Sequence, residues 1–292
     1  MSFKTILVHV DESPRLAERI RLAAELAVQD DGHLVGVAMT GISRSLYEDQ
    51  LVDDSDPNLA LHLNFVRERA GRALNDFVPL AQRLGLQSTE QHVIDDDAGS
   101  GLASLARHAD LVVIGQADPE HLSTSAGSEF PGHVLTSSGC PVLVVPFASG
   151  AARPAGAKPA RHVVIAWNAG KEAARAVRDA LPLLKRAATV HIAIFDADLQ
   201  RAQHGDAPGV PLQHFLQRHG IAAEIALRQS PRPGLLKRPA DTGEALLSFA
   251  QSVHCDLLVL GAYGHSRLRE TLLGGVTRTV LENMTMPVLM AH

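Results

Sequence analysis

Short runs of Val, Ile and Leu alternate along this chain with longer stretches whose apolar residues recur every three or four positions. The stretch "PRLAERIRLAAELAVQ", residues 14–29, shows the second pattern and predicts an amphipathic helix. Strands that alternate with helices imply parallel crossovers, and near-continuous apolar strands are typical of a sheet covered on both faces. We therefore predict an α/β fold with doubly wound parallel sheets. The apolar runs place the strands at 5–10, 33–39, 89–94, 110–115 and 141–146, and again at 162–167, 189–195, 222–228, 256–261 and 287–291.

The second half of the chain repeats the first. The segment "ADLVVIGQ" resembles "CDLLVLGA", and "CPVLVVP" resembles "MPVLMAH" at the same spacing. The starts of the copies also match, because "KTILVHVDES" is similar to "RHVVIAWNAG". A repeat this long indicates a duplicated domain, not a solenoid. We predict domains at 1–147 and 161–292, joined by a linker at 148–160 that is rich in Ala, Gly and Pro.

Composition narrows the class of protein. The chain has 292 residues, 46% of them hydrophobic, and a formal net charge of −5 at pH 7. Its apolar runs are strand-sized, well short of the ~18 residues of a membrane helix. The start "MSFKTILVHV" lacks the features of an export signal, and Cys140 and Cys255 form neither a disulfide framework nor a metal-ligand pair. We predict a cytoplasmic protein without a built-in metal that binds neither membrane nor nucleic acid, since no Lys- or Arg-rich run is present.

A glycine-rich loop is the strongest candidate for chemistry. The sequence "GAYGHSRLRETLLGGVT", residues 261–277, follows a predicted strand and precedes a predicted helix. Gly261 and Gly264 lack a Cβ, so we expect the backbone there to approach a ligand closely and to adopt positive φ. Gly274 and Gly275 would open the helix, whose unpaired N–H groups bind phosphate. The four glycines together predict a loop that wraps a phosphate chain.

The spacing G-x2-G-x9-G after "DLLVLGA", followed by V-T and closed by "MPVLM", resembles the universal stress protein family. The resemblance covers essentially the whole chain as two tandem domains. It implies five-stranded parallel sheets in the order 3-2-1-4-5 with helices on both faces, and a site for ATP, ADP or AMP in the second domain, where Mg²⁺ could accompany the nucleotide. The site residues that it implies are Ala166, Trp167, Asn168, Phe195, Leu260, Gly261, Ala262, Gly264, His265, Gly274, Gly275, Val276 and Thr277.

Two positions of the second copy depart from the family pattern. The family usually has Ser or Thr where this chain has Gly275, so a hydroxyl for the terminal phosphate is lost unless Thr277 replaces it. Strand one usually ends in Asp, and here Asn168 stands instead, an amide that can still bond ribose or adenine. Nucleotide binding in the second copy remains the expectation that the resemblance implies.

The first copy departs further. It keeps Gly115 at the end of strand four and Asp11 after strand one. The carboxylates of Asp118 and Glu129 would face the phosphates and repel them. Pro131 removes a backbone N–H donor. We therefore interpret the first copy as a degenerate domain that keeps the fold and has lost the site. The residues that replace Gly264, Gly274, Gly275, Val276 and Thr277 are Asp118, Ser128, Glu129, Phe130 and Pro131.

The resemblance implies nucleotide-linked regulation or protection under stress, with at most slow ATP hydrolysis, because the loop supplies no convincing general base. One alternative is an ATP-using enzyme of a related α/β fold, although the chain has no P-loop and no G-x-S-x-G motif. Another is an interaction module with an empty site. "GSG" at 99–101 resembles a dinucleotide loop but is interpreted as the turn that starts a helix.

Two further expectations concern partners. Family dimers pair their fifth strands, so we expect the two domains to pair there and form an internal pseudo-dimer, and a homodimer of whole chains is a further option. The insertion at 230–239 carries Arg232, Lys237 and Arg238. We hypothesise that it is a flap over the nucleotide side, and the alternative is an arm that contacts another chain. Asp241 with Glu244 predicts a capping box at the start of the following helix.

Overall fold

The computed structural model describes residues 2–43, 57–117, 129–147, 159–231, 239–262 and 275–292. The chain forms two compact units, Ser2–Val142 and Leu143–His292. The predicted linker lies mostly outside the described residues, and the predicted domain boundaries stay a prediction.

In the first unit the central strand β1 pairs in parallel with β2 on one side and with β4 on the other. The strand order is β3-β2-β1-β4-β5, and β5 begins at the last residue of the unit. The elements are β1 (Thr5–Val10), α1 (Leu16–Asp30), β2 (His33–Met39), α2 (Pro57–Ala73), α3 (Phe77–Arg83), β3 (Thr89–Ile94), α4 (Ala98–Ala106), β4 (Leu111–Gly115), α5 (Phe130–Ser137) and β5 (Val142–Val145).

The second unit repeats this arrangement. Strand β6 pairs in parallel with β7 and with β9, and the strand order is β8-β7-β6-β9-β10. A short 3-10 helix, Ala197–Gln200, follows β7. The other elements are β6 (His162–Ala166), α6 (Lys171–Leu184), β7 (Thr189–Phe195), α7 (Arg201–His204), α8 (Val210–Arg218), β8 (Glu224–Arg228), α9 (Pro239–Ser252), β9 (Leu257–Gly261), α10 (Gly275–Asn283) and β10 (Val288–Ala291).

Burial explains why these runs form strands. In β4, the four residues from Leu111 to Ile114 are all buried, and in β9 the same holds from Leu257 to Leu260. Successive side chains of a strand point to opposite faces, so an unbroken buried run means that both faces are covered. The predicted α/β class with parallel sheets is confirmed. The expected strand order is present as β3-β2-β1-β4 in the first unit and as β8-β7-β6-β9-β10 in the second.

One local prediction is wrong. Helix α9 begins at Pro239, so Asp241 lies in its first turn and does not cap it. Proline is favoured at the first helical position, where its missing N–H would have no partner in any case. The "GSG" segment, in contrast, does lie at a helix start: Asp97 caps α4 by accepting hydrogen bonds from the N–H groups of Gly99 and Ser100, both at 3.0 Å.

No helix among the described residues is long and apolar enough to cross a membrane.

Candidate functional site

The candidate site lies at the carboxyl ends of the central strands of the second unit. Strand β6 ends at Ala166, which is paired in register with Ala193 of β7 and Leu260 of β9. In an open parallel sheet, ligands bind outside the strand ends where the order of strands reverses, and β6 is that point here. The sheet therefore brings together the predicted residues at the ends of these three strands. Gly264, His265 and Gly274 lie outside the described residues.

The loop after β6 has a defined geometry. Asn168 is exposed, and its side-chain oxygen accepts a hydrogen bond from the Gly170 N–H at 2.9 Å, which leads the chain into α6. Ala169 between them has a positive φ of 59°. Trp167 is half-buried, and its backbone N–H donates to the carbonyl of Ala193 at 2.9 Å. The Asn168 amide nitrogen and part of the indole surface are therefore available to a ligand.

Gly261 has a structural reason to be glycine. It is the last residue of β9 and does not have a positive φ, so that part of the expectation is wrong. A Cβ at this position would lie 2.3 Å from the backbone nitrogen of Ala173 and 2.5 Å from the carbonyl carbon of Glu172. The close approach is therefore made by the first turn of α6, which packs against the strand end.

The predicted phosphate end is the start of α10. Gly275 is the first residue of this helix, and both it and Val276 are half-exposed. The first turn of a helix carries backbone N–H groups without intrahelical partners, and these favour anions. Thr277, the candidate replacement for the missing hydroxyl, is buried in the unit.

The matching edge of the first unit is occupied by its own side chains. Asp11 accepts hydrogen bonds from the Ser13 N–H at 3.0 Å, from the Ser13 hydroxyl at 2.6 Å and from Nη2 of Arg19 at 2.5 Å. Burial alone would raise the pKa of Asp11, but the Arg19 guanidinium and these hydrogen bonds outweigh it and hold the pKa well below its usual range. All three bonds converge on one carboxylate oxygen, so Asp11 is engaged within the unit.

Arg19 takes up space beside the end of β4. It is only 2% exposed, and a Cβ at Gly115 would lie 2.6 Å from its Nη1. Gly115 is thus glycine because a guanidinium packs on it. By strand register, Gly115 corresponds to Gly261, where a helix backbone takes the same role.

His9 and Phe130 also occupy the carboxyl edge of the first unit. His9 is 1% exposed, and its ring centre lies 5.0 Å from that of Phe130, the first residue of α5. Burial lowers the pKa of His9 to about 4, with Arg19 acting in the same direction and Asp11 in the opposite one. The imidazole is therefore neutral at pH 7.

An opening in the described part of the first unit lies beside these groups. A cavity of about 40 Å³ lies at the ends of β1 and β2, where Thr40 and residues of α2 line it. Arg69 of α2 bonds Glu12 at 2.7 Å beside this cavity.

Sequence reasoning missed His9 and Arg19. A signal for Arg19 exists, because it lies three residues after Leu16 and one before Ile20 on the apolar face of α1, where a charged residue needs a buried partner. Among the described residues, no group of three or more His, Cys, Asp and Glu side chains could hold a metal. Both cysteines are free, and burial raises the pKa of the Cys255 thiol to about 12.

Comparison with known proteins agrees with this architecture. The sequence model of the Universal stress protein family matches residues 2–146 and again residues 159–292. The chain is similar to the crystal structure of a universal stress protein from Archaeoglobus fulgidus, with 14% identity, a TM-score of 0.67 and coverage of 98% of this chain and 97% of that one.

Two other similarities are shorter. A universal stress protein from Synechocystis sp. is 41% identical over 46 residues, and the match spans only 16% of this chain and 16% of that relative. A universal stress protein solved in complex with cAMP is similar over 51% of this chain and all of its own length, with 18% identity and a TM-score of 0.36.

Proposed function

This chain belongs to the universal stress protein family, and on that premise we propose that its second unit binds an adenine nucleotide while its first unit does not. The nucleotide would lie across the ends of β6, β7 and β9, with its base and ribose toward Asn168 and Phe195 and its phosphates toward Gly275. The loop that contains Gly264 and Gly274 would wrap the phosphates.

One observation supports the proposal most directly. His9 and Phe130 are buried against each other in the first unit, whereas their counterparts in the second unit, Ala166 and Val276, are smaller and half-exposed. The difference leaves polar and backbone groups of the second unit accessible at the point where the strand order reverses. A ligand of nucleotide size has access only where the chain itself has not filled the edge.

We propose that the bound nucleotide serves regulation or protection under stress and not a dedicated chemical step. Helix-start N–H groups hold phosphate but do not activate water, so hydrolysis would be slow in comparison with the ~1–100 per second of kinases. Mg²⁺ would enter with ATP as part of the ligand. The internal pseudo-dimer, the homodimer and the cytoplasmic location stay predictions.

The test is isothermal titration of the full chain with ATP, supported by Trp167 fluorescence. We expect one site per chain. The variant Gly264→Asp gives the second copy the residue that the first copy has at this position, Asp118. It should weaken ATP binding at least roughly a hundredfold, about 2.7 kcal/mol, because the carboxylate would repel the phosphates.

A matched control is Gln217→Glu, which adds the same charge at an exposed position of α8 and should leave binding unchanged. Two equivalent sites per wild-type chain would contradict the asymmetry between the units. Near-normal binding by Gly264→Asp would contradict the position of the phosphates.

A further inference from the structure

A chain of contacts joins the two ends of the candidate site. One end is Phe195, the last residue of β7, and the other is Gly275, the first residue of α10. The five residues that connect these ends do not belong to the predicted site. We call them the α9 bridge, because α9 lies in the middle: Asp196, Ser230, Thr242, Gly243 and Thr279.

The first joint of the bridge is a buried pair. Asp196 directly follows Phe195, is 5% exposed and has the left-handed conformation φ 54°, ψ 40°. Its carboxylate accepts hydrogen bonds from the Ser230 N–H at 2.8 Å and from the Ser230 hydroxyl at 2.6 Å. A left-handed residue other than glycine persists when its surroundings determine it. This joint therefore fixes the end of β7 against the segment that follows β8.

The second joint connects that segment to α9. The hydroxyl oxygens of Ser230 and Thr242 lie 3.1 Å apart. Because the Ser230 hydroxyl donates to Asp196, it accepts from Thr242. Thr242 lies in the first turn of α9, which begins at Pro239. The position of α9 is thus tied to the end of β7 through two side-chain contacts.

The third joint connects α9 to α10. Gly243 packs on Thr279 so closely that a Cβ would lie 2.7 Å from Cβ of Thr279 and 2.9 Å from its Cγ2. Thr279 is 6% exposed, and its hydroxyl donates to the carbonyl of Gly275 at 2.9 Å. The contact therefore acts on the first turn of α10, and any larger residue at Gly243 has to push that helix away.

We propose that the α9 bridge positions the start of α10 relative to the end of β7 and thereby sets how tightly the phosphate chain of the nucleotide is held. This inference rests on the proposed function. Its residues are positioning residues: they act through α10 and the end of β7 and do not contact the ligand. A shift of α10 would change the phosphate end of the site and leave the base end, on β6 and β7, in place.

The test compares ATP with adenosine in calorimetric titrations of the full chain. For Gly243→Ala we expect the ATP affinity to fall about tenfold or more, because hydrogen bonds to a charged group are lost when α10 moves. Adenosine affinity should change less than about threefold, which is under 0.7 kcal/mol. The matched control is Gly71→Ala, also at a helical glycine, where nothing lies within 4 Å of the added Cβ; it should change neither affinity.

A second variant covers the case in which Gly243→Ala does not fold. Thr279→Val keeps a similar shape and removes the hydrogen bond to Gly275, so the ATP affinity should fall a few-fold, about 1 kcal/mol or less, with adenosine unchanged. If either folded variant binds ATP as wild type does, or loses ATP and adenosine equally, the inference is overturned while the proposed function stands. If wild type binds neither ligand, the proposed function fails and the bridge has no such role.

Discussion

The carboxyl edges of the two units are built from the same elements in the same order, and they differ in what fills them. In the first unit, Arg19 packs on Gly115 and bonds Asp11, while His9 packs on Phe130. In the second unit, the first turn of α6 packs on Gly261 instead. At the end of β4 a side chain packs on the glycine, and at the end of β9 a helix backbone does so.

The difference shows that one fold accommodates two differently filled edges. In the first unit, the pair of Arg19 and Asp11 contributes to the unit's own stability. A buried charge is costly unless it is paired, so Asp11 and Arg19 depend on each other. The amide of Asn168 is neutral and exposed, so it needs no charged partner.

The largest effect is expected from removing the arginine. Arg19→Ala leaves the Asp11 carboxylate without its cation, and breaking a buried ion pair costs ~3–5 kcal/mol. Urea unfolding of the full chain should show the loss, and hydrogen exchange by mass spectrometry should locate it in the first unit. The double variant Asp11→Asn/Arg19→Ala should recover part of it, because no charge is left unpaired. An additive double variant would mean that the two side chains are not coupled.

The second prediction exchanges the two corresponding glycines for alanine. Gly261→Ala forces its Cβ into the backbone of α6, so we expect a loss at or above the upper end of the ~1–3 kcal/mol that overpacking costs. Gly115→Ala meets only the end of the Arg19 side chain, and its loss should lie near the lower end. In an Arg19→Ala background the Gly115→Ala loss should nearly vanish. Equal costs in the two units would contradict the contrast between side chain and backbone.

The central strands were predictable from the sequence because they are buried on both faces, which leaves an unbroken apolar run such as "LLVLG". The strand order followed from the family resemblance, and the strands β3 and β8 are mostly not buried. The groups that pack at the two strand ends were not predictable from the sequence. Gly115 and Gly261 look alike in sequence, and only the tertiary structure shows that one meets a guanidinium and the other a helix. His9 within "ILVHV" gives no sign of its neutral state, which depends on burial under a residue 121 positions later, Phe130. Contacts of that kind are set by packing between distant segments.

The third prediction concerns pH. The pKa of His9 is about 4 in the folded chain, below the ~6.5 of an unfolded histidine. The unfolded state therefore binds more protons between these values, so the contribution of His9 to stability is complete above pH 6.5 and is lost as pH falls toward 4. From pH 7 to pH 5 the loss is about 2 kcal/mol. Urea midpoints across this range should fall less steeply for His9→Asn, and identical slopes would contradict the assignment.

The smallest effect is expected from Asn168→Asp, which gives the second unit the first unit's residue. The new carboxylate can still accept from the Gly170 N–H, as Asp11 does from Ser13. It would stand just before α6, where a negative charge stabilises the helix by ~0.3–1 kcal/mol at low ionic strength. Because the position is exposed, no counterpart of Arg19 is required, and ~1 M salt should remove the gain. Urea unfolding at low and at high salt measures the gain in stability and its removal by salt. A destabilisation as large as that of an unpaired buried charge would mean that the second edge is as closed as the first.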